Sequence, residues 1–164
     1  HEIWSFMPGD RSQSVFVAQW HPLQRLGDQE KLKRDDWAAI LAAKEAINKV
    51  LEEQRNEGEI KASLGADVSL YADPKLFKSL SKLGDELRFV TITSKADLLP
   101  MSAANGLSES TLAGLRLDLS KSTATKCVRC WHFMDDVGSN AAYPGVCGRC
   151  VSNITGKGEV RTYA

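Results

Sequence analysis

The sequence predicts an α+β protein made of three consecutive parts: a helical segment, a small α+β subdomain and a cysteine-rich ribbon or knuckle module. Three observations predict this order. Apolar residues recur at helical spacing in the first third of the chain, and alternating apolar and polar residues follow in the middle. All 4 cysteines lie after residue 126. We place the boundaries of the three parts at 1–63, 64–120 and 121–164.

The longest predicted helix runs from about Asp28 to Glu57. Its apolar residues recur with a period near 3.6 residues, at Trp37, Ile40, Leu41, Ile47, Val50 and Leu51. Asp28, or Asp35 for a shorter helix, is expected to cap its start, and Gly58 suits its end. Residues 1–27 place aromatic side chains between prolines and glycines, which predicts a short helix end followed by irregular chain. The many large apolar groups there suggest a helix end cut from a larger protein.

The middle part begins with a predicted strand and helix. Residues 67–72 alternate between polar and apolar side chains, as a strand with one buried face does. Asp73 is a good N-cap and Pro74 suits the first turn of a helix, because its missing N–H would have no partner there. We expect this helix to run to about Leu83.

Two further strands and one loop complete the predicted α+β subdomain. Residues 87–93 are apolar and β-branched, which predicts the second strand. Residues 97–111 contain proline, serine, asparagine and glycine, and are therefore predicted to form a loop. Residues 115–120 alternate cleanly and predict the third strand.

Composition limits the possible partners of the chain. Its 164 residues are 43% hydrophobic and 26% charged, a balance typical of globular proteins. The 21 basic residues equal the 21 acidic residues, so any surface for a polyanion must come from local segregation of charge. The apolar runs are too short to span a bilayer, and the N-terminus lacks the pattern of a secretory signal. We therefore expect no membrane segment.

The cysteines are spaced as metal ligands. Cys127 and Cys130 form one CxxC pair, and Cys147 and Cys150 form a second pair after 16 intervening residues. Two residues between cysteines allow one tight turn to direct both sulfurs at the same ion, and Gly148 is expected to permit a positive φ in the second turn. Four thiolates satisfy tetrahedral zinc, with Zn–S bonds of about 2.3 Å. The spacing predicts one structural zinc ion in a zinc ribbon or knuckle.

Other uses of four cysteines are less consistent with this spacing. An iron–sulfur cluster also takes four thiolates, but the familiar ferredoxin runs are spaced differently. A single redox CxxC pair does not explain the second pair, and disulfides require an oxidising compartment. The paired spacing therefore favours metal binding in a reducing cytoplasm. Four protein ligands leave no coordination position for water, so we expect the ion to be non-catalytic.

Basic and aromatic residues lie beside the cysteines and predict contact with unpaired bases. Arg129 and Arg149 lie inside the two CxxC turns, and Trp131 and His132 directly follow the first turn. The aromatic residues also have structural explanations. Trp131 is an equally good candidate for packing the hairpin, and His132 is a candidate for a substitute metal ligand. Phe133, the next residue, is better explained as part of the core. We favour an RNA contact for Arg149, since a small knuckle offers it few partners. The basic residues predicted to contact phosphates are Lys121, Lys126, Lys157 and Arg161.

Several sequence blocks resemble the C-terminal zinc segment of bacterial isoleucyl-tRNA synthetases. Those in the cysteine module are KCVRCWH from Lys126, DVG from Asp136 and VCGRCVSN from Val146. Those upstream are EIW from Glu2, NKV from Asn48, LYA from Leu70 and LGDELRF from Leu83. The resemblance covers most of the chain and is least distinctive at residues 97–114.

This resemblance implies a cytoplasmic, monomeric enzyme that ligates isoleucine to its tRNA with ATP and magnesium. The family's catalytic motifs, HIGH and KMSKS, do not occur in this sequence. The chain would then be the end of the anticodon-binding region, a junction and a zinc module, catalytically silent by itself and joined to the rest of the synthetase. Two alternatives stay open: the C-terminal zinc finger of an Fpg-type DNA glycosylase, and a non-catalytic, zinc-stapled interaction module.

Overall fold

The computed structural model describes most of the chain, which divides into two units. The described residues are 2–9, 14–20, 22, 31–156 and 158–164. The first unit is His1–Glu30, and the second is Lys31–Ala164. The described elements of the first unit are α1 (Glu2–Phe6) and a 3-10 turn at Val15–Val17. The predicted short helix is confirmed by α1, and the described residues 18–20 and 22 lie in no helix or strand, whereas the proposed cap Asp28 lies outside the described residues.

The second unit begins with a long helix, α2 (Arg34–Asn56). One face of this helix is buried, as its period predicted, although Leu41 is exposed, and Gly58 follows the helix end with a φ of 81°. The expected cap Asp35 was wrong, because it lies within the first helical turn. The carboxylate of Asp36 instead accepts the backbone N–H of Lys33 at 2.9 Å, which satisfies one of the free donors at the helix start.

A three-stranded sheet forms the centre of the second unit. Its strands are β1 (Ala66–Ala72), β2 (Lys95–Pro100) and β3 (Leu115–Lys121). The order is β2-β1-β3, with β1 parallel to β2 and antiparallel to β3. Leu70 of the central strand lies opposite Leu98 on one side and Leu117 on the other. The first and third strands therefore lie where the sequence predicted them.

The predicted second strand at residues 87–93 is wrong, because this segment forms α4 (Leu87–Thr91). The Thr91 hydroxyl donates to the carbonyl of Leu87 at 3.1 Å, and Ile92 ends the helix in the left-handed region. The actual second strand, β2, lies partly in the predicted loop. Parallel strands need a long crossover, and this requirement overrides the β-branched composition of residues 87–93.

The crossover between the two parallel strands is helical. It contains α3 (Pro74–Leu80) and a 3-10 segment (Ser81–Glu86) before α4. Asp73 caps α3 as predicted, since its side chain accepts the backbone N–H of Leu76 at 2.8 Å. The two other 3-10 turns described in this unit are Ser63–Gly65 and Met101–Ala103.

Helix α2, α3 and the sheet enclose the main apolar core. Its largest fully buried members are Ile40, Ile47, Ile60, Val68, Leu70, Leu80 and Leu115. Asp36 ties two helices together at the edge of this core, because it accepts hydrogen bonds from Ser79 at 2.9 Å and Lys82 at 2.6 Å. None of the helices described is both long and apolar enough to cross a membrane.

The cysteine module has a separate small core. Its elements are β4 (Thr125–Lys126), β5 (Phe133–Met134) and α5 (Gly148–Ile154). Buried Cys127, Cys147 and Cys150 are packed with Met134 and Val146, among others. Because this core contains few large aliphatic side chains, its stability depends on what the four sulfurs bind.

Candidate metal centre and nucleic-acid interface

The four cysteines converge on one point. The sulfur atoms of Cys127, Cys130, Cys147 and Cys150 all lie within 4.8 Å of one another, and none of the four is in a disulfide. The sulfurs of Cys130 and Cys147 are 3.7 Å apart. A tetrahedron with Zn–S bonds of about 2.3 Å has edges of about 3.8 Å. The donor set and spacing therefore fit a tetrahedral zinc ion.

Backbone hydrogen bonds shape the first CxxC turn. The Cys127 N–H donates to the carbonyl of His132, and the Trp131 N–H donates back to the carbonyl of Cys127, both at 2.9 Å. The second pair is held differently, because α5 starts directly after Cys147 and places Cys150 in its first turn. The two turns present their sulfurs from opposite ends of the 16-residue spacer.

Gly148 allows the Asp136 carboxylate to approach the backbone closely, and it does not adopt the positive φ that the sequence suggested. It is not among the residues with positive φ. A Cβ at this position would lie 2.6 Å from Oδ2 of Asp136, and the Gly148 N–H donates to that same oxygen at 2.9 Å. The glycine thus allows the Asp136 carboxylate to cap the start of α5.

Electrostatics within the sulfur cluster favour a cation. Burial raises the pKa of the Cys127 thiol, but backbone N–H groups of Cys130, Cys147 and Arg129 outweigh this effect and lower it to about 6. Burial and the neighbouring sulfurs raise the pKa of Cys147 to about 12. The Cys127 thiol thus ionises readily, whereas burial and the neighbouring sulfurs oppose ionisation of Cys147. A bound divalent cation removes that repulsion.

One side of the module is occupied by a cluster that we call the arginine cluster: Phe89, Arg88, Arg149, Arg161 and Glu159. The guanidinium carbons of Arg161, Arg88 and Arg149 lie 3.8, 4.8 and 5.1 Å from the Phe89 ring centroid. Glu159 pairs with both Arg149 and Arg161 at 3.0 Å. Cation–π contacts and ion pairs therefore join α4, α5 and the C-terminal tail.

His132 and Glu86 extend this cluster. The His132 ring meets Phe89 edge-on at 5.7 Å, and its Nδ1 donates to the carbonyl of Cys130 at 3.2 Å. Burial, together with the charges of the nearby arginines, lowers the pKa of His132 and favours its neutral form. Glu86 accepts three consecutive backbone N–H groups of the tail, at residues 162, 163 and 164, at 2.6–2.8 Å.

The other side of the module contains a cavity of about 440 Å³ that we call the lysine-rimmed groove. Lysines form its charged rim and apolar groups its walls. The residues that define it are Lys61, Leu64, Ile92, Lys121, Lys126 and Trp131. Trp131 is 61% exposed, and Nζ of Lys126 lies 5.6 Å from its ring centroid. An aromatic face and cations are thus presented together to solvent.

The predicted RNA contacts separate into two sets. Lys126, Arg129 and Trp131 are exposed, and Arg129 also donates from Nη1 to the sulfur of Cys150 at 3.6 Å. Arg149 pairs with Glu159 and packs on Phe89, neither of which the sequence suggested as a partner, and its side chain is only 15% exposed. His132 and Arg161 lie in or beside the arginine cluster, Lys121 lies on the groove, and Lys157 is outside the described residues.

The sequence did not predict the places of four residues around the module. These are Phe89 and Glu159 of the arginine cluster, Glu86 beside the tail, and Ile92 on the groove. Phe89 and Glu86 stand in the LGDELRF block that carries the resemblance, but no spacing rule relates them to a tail more than seventy residues away. Glu159 has no role in the sequence analysis, because no local pattern relates it to Arg149 or Arg161. Ile92 was assigned to a strand, where its side chain would have had a different environment.

Comparison with known proteins first identifies the class of the metal centre. Residues 125–153 match the family described as "Zinc finger found in FPG and IleRS". This match includes all four cysteines and the exposed Trp131 between them. The class defined by the fold and the site is therefore a four-cysteine zinc finger.

The chain as a whole is similar to isoleucine–tRNA ligases. It is 50% identical over 165 residues to the Pseudomonas aeruginosa protein. The aligned region covers 99% of this chain and 18% of that protein. The proteins of Azotobacter vinelandii and Teredinibacter turnerae are 49% and 46% identical over the same shares of chain and relative. The chain thus spans about a fifth of the length of these relatives. The expected resemblance is confirmed, and the glycosylase alternative is not favoured.

Proposed function

We propose that this chain is the tRNA-binding C-terminal part of an isoleucyl-tRNA synthetase, and that Cys127, Cys130, Cys147 and Cys150 bind one structural zinc ion. The observation that carries the proposal is the convergence of four thiols within 4.8 Å in a segment matching the shared zinc-finger family. Similarity to isoleucine–tRNA ligases over 99% of the chain supports the choice of enzyme.

The zinc ion has a structural role in this proposal. Four cysteines complete its coordination shell, and no position is left for substrate or water. The cation supplies a cross-link between the two CxxC turns, which compensates for the small apolar core of the module. A preformed turn then presents Arg129, Lys126 and Trp131 with little loss of entropy on binding RNA.

The proposed ligand is the anticodon arm of isoleucine tRNA. Unpaired loop bases stack on aromatic and guanidinium planes, for which Trp131 and Arg129 are available. Lys121 and Lys126 supply charge for phosphates. RNA contacts from Arg149, His132, Lys157 and Arg161 stay predictions, and the packing of Arg149 and Arg161 on Phe89 favours a structural role.

ATP-dependent ligation of isoleucine belongs to the complete enzyme in this proposal. ATP and magnesium would bind the catalytic domain, and the present chain alone should show no aminoacylation. Its partners would be the tRNA and the rest of the synthetase, as a monomer in the cytoplasm. An aminoacylation assay with the isolated chain, beside a complete isoleucyl-tRNA synthetase, tests the first expectation directly.

A binding assay tests the RNA specificity. Zinc-loaded chain is titrated with isoleucine tRNA, with the same tRNA carrying a changed anticodon, and with duplex DNA of equal charge. We expect the unchanged tRNA to bind at least tenfold more tightly than either competitor, since unpaired-base contacts add to the charge term. Equal affinity for all three polyanions would refute anticodon recognition.

A further inference from the structure

We propose that Ser94 is a positioning residue for RNA binding, because its buried hydroxyl fixes the orientation of the cysteine module on the α+β subdomain. The inference rests on the proposed function, since it assumes that the module presents its exposed residues to RNA. Ser94 is only 2% exposed, and it acts through Phe133 of β5 rather than by touching RNA.

The Ser94 side chain connects the two parts of the molecule directly. Its hydroxyl donates to the carbonyl of Leu64 at 2.5 Å and accepts the backbone N–H of Phe133 at 2.6 Å. Leu64 lies in the turn before β1, whereas Phe133 lies in the cysteine module. The Ser94 backbone N–H also donates to the carbonyl of Ala66 in β1 at 3.0 Å. One buried residue therefore joins the sheet to the module.

Phe133 transmits this contact to the residues proposed to meet RNA. It is paired with Lys126 in the β4–β5 hairpin. The connection between these two strands is closed by two backbone hydrogen bonds between Cys127 and residues 131–132. A hairpin closed in this way moves as a unit, so a shift of Phe133 also moves Lys126 and Trp131.

Ser94 and the arginine cluster hold the module on different sides. The arginine cluster joins it to α4 through guanidinium groups packed on Phe89. Ser94 instead joins Leu64 to Phe133, and both of these residues line the lysine-rimmed groove. One contact region alone would leave the module free to pivot, whereas contacts on two sides fix its orientation. A surface that is already oriented loses less entropy when it binds RNA.

Thr93 offers a matched comparison, because it is fully buried like Ser94 but its hydroxyl bonds only within its own loop. This hydroxyl lies 2.8 Å from that of Thr91 and donates to the carbonyl of Lys95 at 3.0 Å. Loss of either buried hydroxyl should lower the stability of the fold. Only loss of the Ser94 hydroxyl should also reorient the module.

Two substitutions test the positioning role in the zinc-loaded chain. Ser94→Ala leaves the Phe133 N–H without its acceptor, so we expect full zinc retention and a loss of affinity for isoleucine tRNA of about fivefold to tenfold. Thr93→Val preserves the shape of the side chain and should keep tRNA affinity within about twofold, although its melting temperature should also fall. RNA titration, metal analysis and thermal unfolding measure these effects.

Two further measurements separate positioning from general weakening. Residual dipolar couplings of backbone N–H groups report the orientation of α5 relative to β1 without any RNA, and only Ser94→Ala should change it. In a double-mutant cycle, Lys126→Gln should weaken tRNA binding by about threefold in the unchanged chain. Combined with Ser94→Ala, it should cost less than about twofold, because a displaced lysine contributes less.

Equal losses of tRNA affinity in Ser94→Ala and Thr93→Val would overturn the positioning role. An unchanged orientation of the module would also overturn it, as would loss of zinc in Ser94→Ala, since a general folding role would then be sufficient. An absence of tRNA binding by the unchanged chain would instead reject the proposed function, and the dipolar couplings would still decide whether Ser94 orients the module.

Discussion

The two sides of the cysteine module differ in how their charged and aromatic groups are used. In the arginine cluster, Phe89 is covered by guanidinium groups, and Glu159 neutralises two of them. In the lysine-rimmed groove, Trp131 has one lysine near its ring and the rim has no acidic residue. Both sides combine cations with an aromatic ring, but only the groove leaves them open to a ligand.

This difference teaches that residue type alone does not identify a nucleic-acid contact. Arg129 and Arg149 occupy equivalent places in the two CxxC turns. Arg129 is exposed, although it also donates to the sulfur of Cys150, whereas Arg149 packs on Phe89 and pairs with Glu159. The arginine cluster holds the module to α4 and the tail. The groove instead presents lysines and an exposed tryptophan to solvent. Partners within the fold decide which arginine is available to RNA.

Loss of the metal should have the largest expected effect, because it should disrupt both the arginine cluster and the lysine-rimmed groove. Cys147→Ser leaves three thiolates, and structural zinc contributes on the order of 10 kcal/mol to such modules. We expect loss of bound zinc and unfolding of residues 121–164, while α2 keeps its helical signal. Metal analysis and circular dichroism provide the measurements. Val128→Ala, at an exposed position of the first CxxC turn, is the control, and full zinc retention in Cys147→Ser would contradict the ligand assignment.

Exchanging the two arginines for alanine tests the comparison directly. Arg149→Ala should lower the free energy of unfolding by about 1–2 kcal/mol through loss of the Phe89 and Glu159 contacts, with RNA affinity changed less than about threefold. Arg129→Ala removes the guanidinium contact with the Cys150 sulfur and should lower the free energy of unfolding by less than Arg149→Ala does, while it weakens RNA binding by about 1–3 kcal/mol. Thermal unfolding and RNA titration measure both. Equal losses of RNA affinity would support the sequence-based assignment of Arg149 as an RNA contact.

Acidification should loosen the tail beside the arginine cluster. Burial raises the pKa of Glu86, but the backbone N–H groups of Tyr163, Thr162 and Ala164 outweigh it and hold the pKa below its ordinary value of 4.5. The stabilisation is therefore complete above pH 4.5 and is lost as the pH falls through the lower folded-state pKa. NMR shifts of these amides should follow that titration. Glu86→Gln should abolish it and speed amide exchange of the tail by about tenfold at neutral pH.

The smallest expected effect concerns the salt dependence of the groove. Lys121→Gln removes one cation from the rim and should reduce the slope of log affinity against log salt concentration by about 0.7, the value for one phosphate of a single strand. Lys44→Gln on α2 serves as a control, because Lys44 does not line the groove. RNA titrations at several salt concentrations measure the slope, and equal slopes for both variants would remove Lys121 from the interface.

Local signals predicted much of the second unit. The period of α2, the Asp73 cap with Pro74, and the alternation of β1 and β3 all depend on neighbouring residues, and all are found as expected. The failure at residues 87–93 has a tertiary cause. β2 must lie parallel to β1, and the crossover that this requires uses the β-branched segment as a helix. The composition of residues 87–93 alone therefore could not predict that this segment is helical.

The sequence by itself predicted the convergence of the four cysteines, because CxxC spacing directs paired thiols at one point whatever surrounds them. It also determined the α+β class and the resemblance to isoleucyl-tRNA synthetases. Only the tertiary structure decided which arginines are buried against the fold, since the partners of Arg149 and Arg161 come from α4 and from Glu159 in the tail. Ile92 and Trp131 also meet only in three dimensions. Long-range packing brings together residues whose separation along the chain carries no periodic signal.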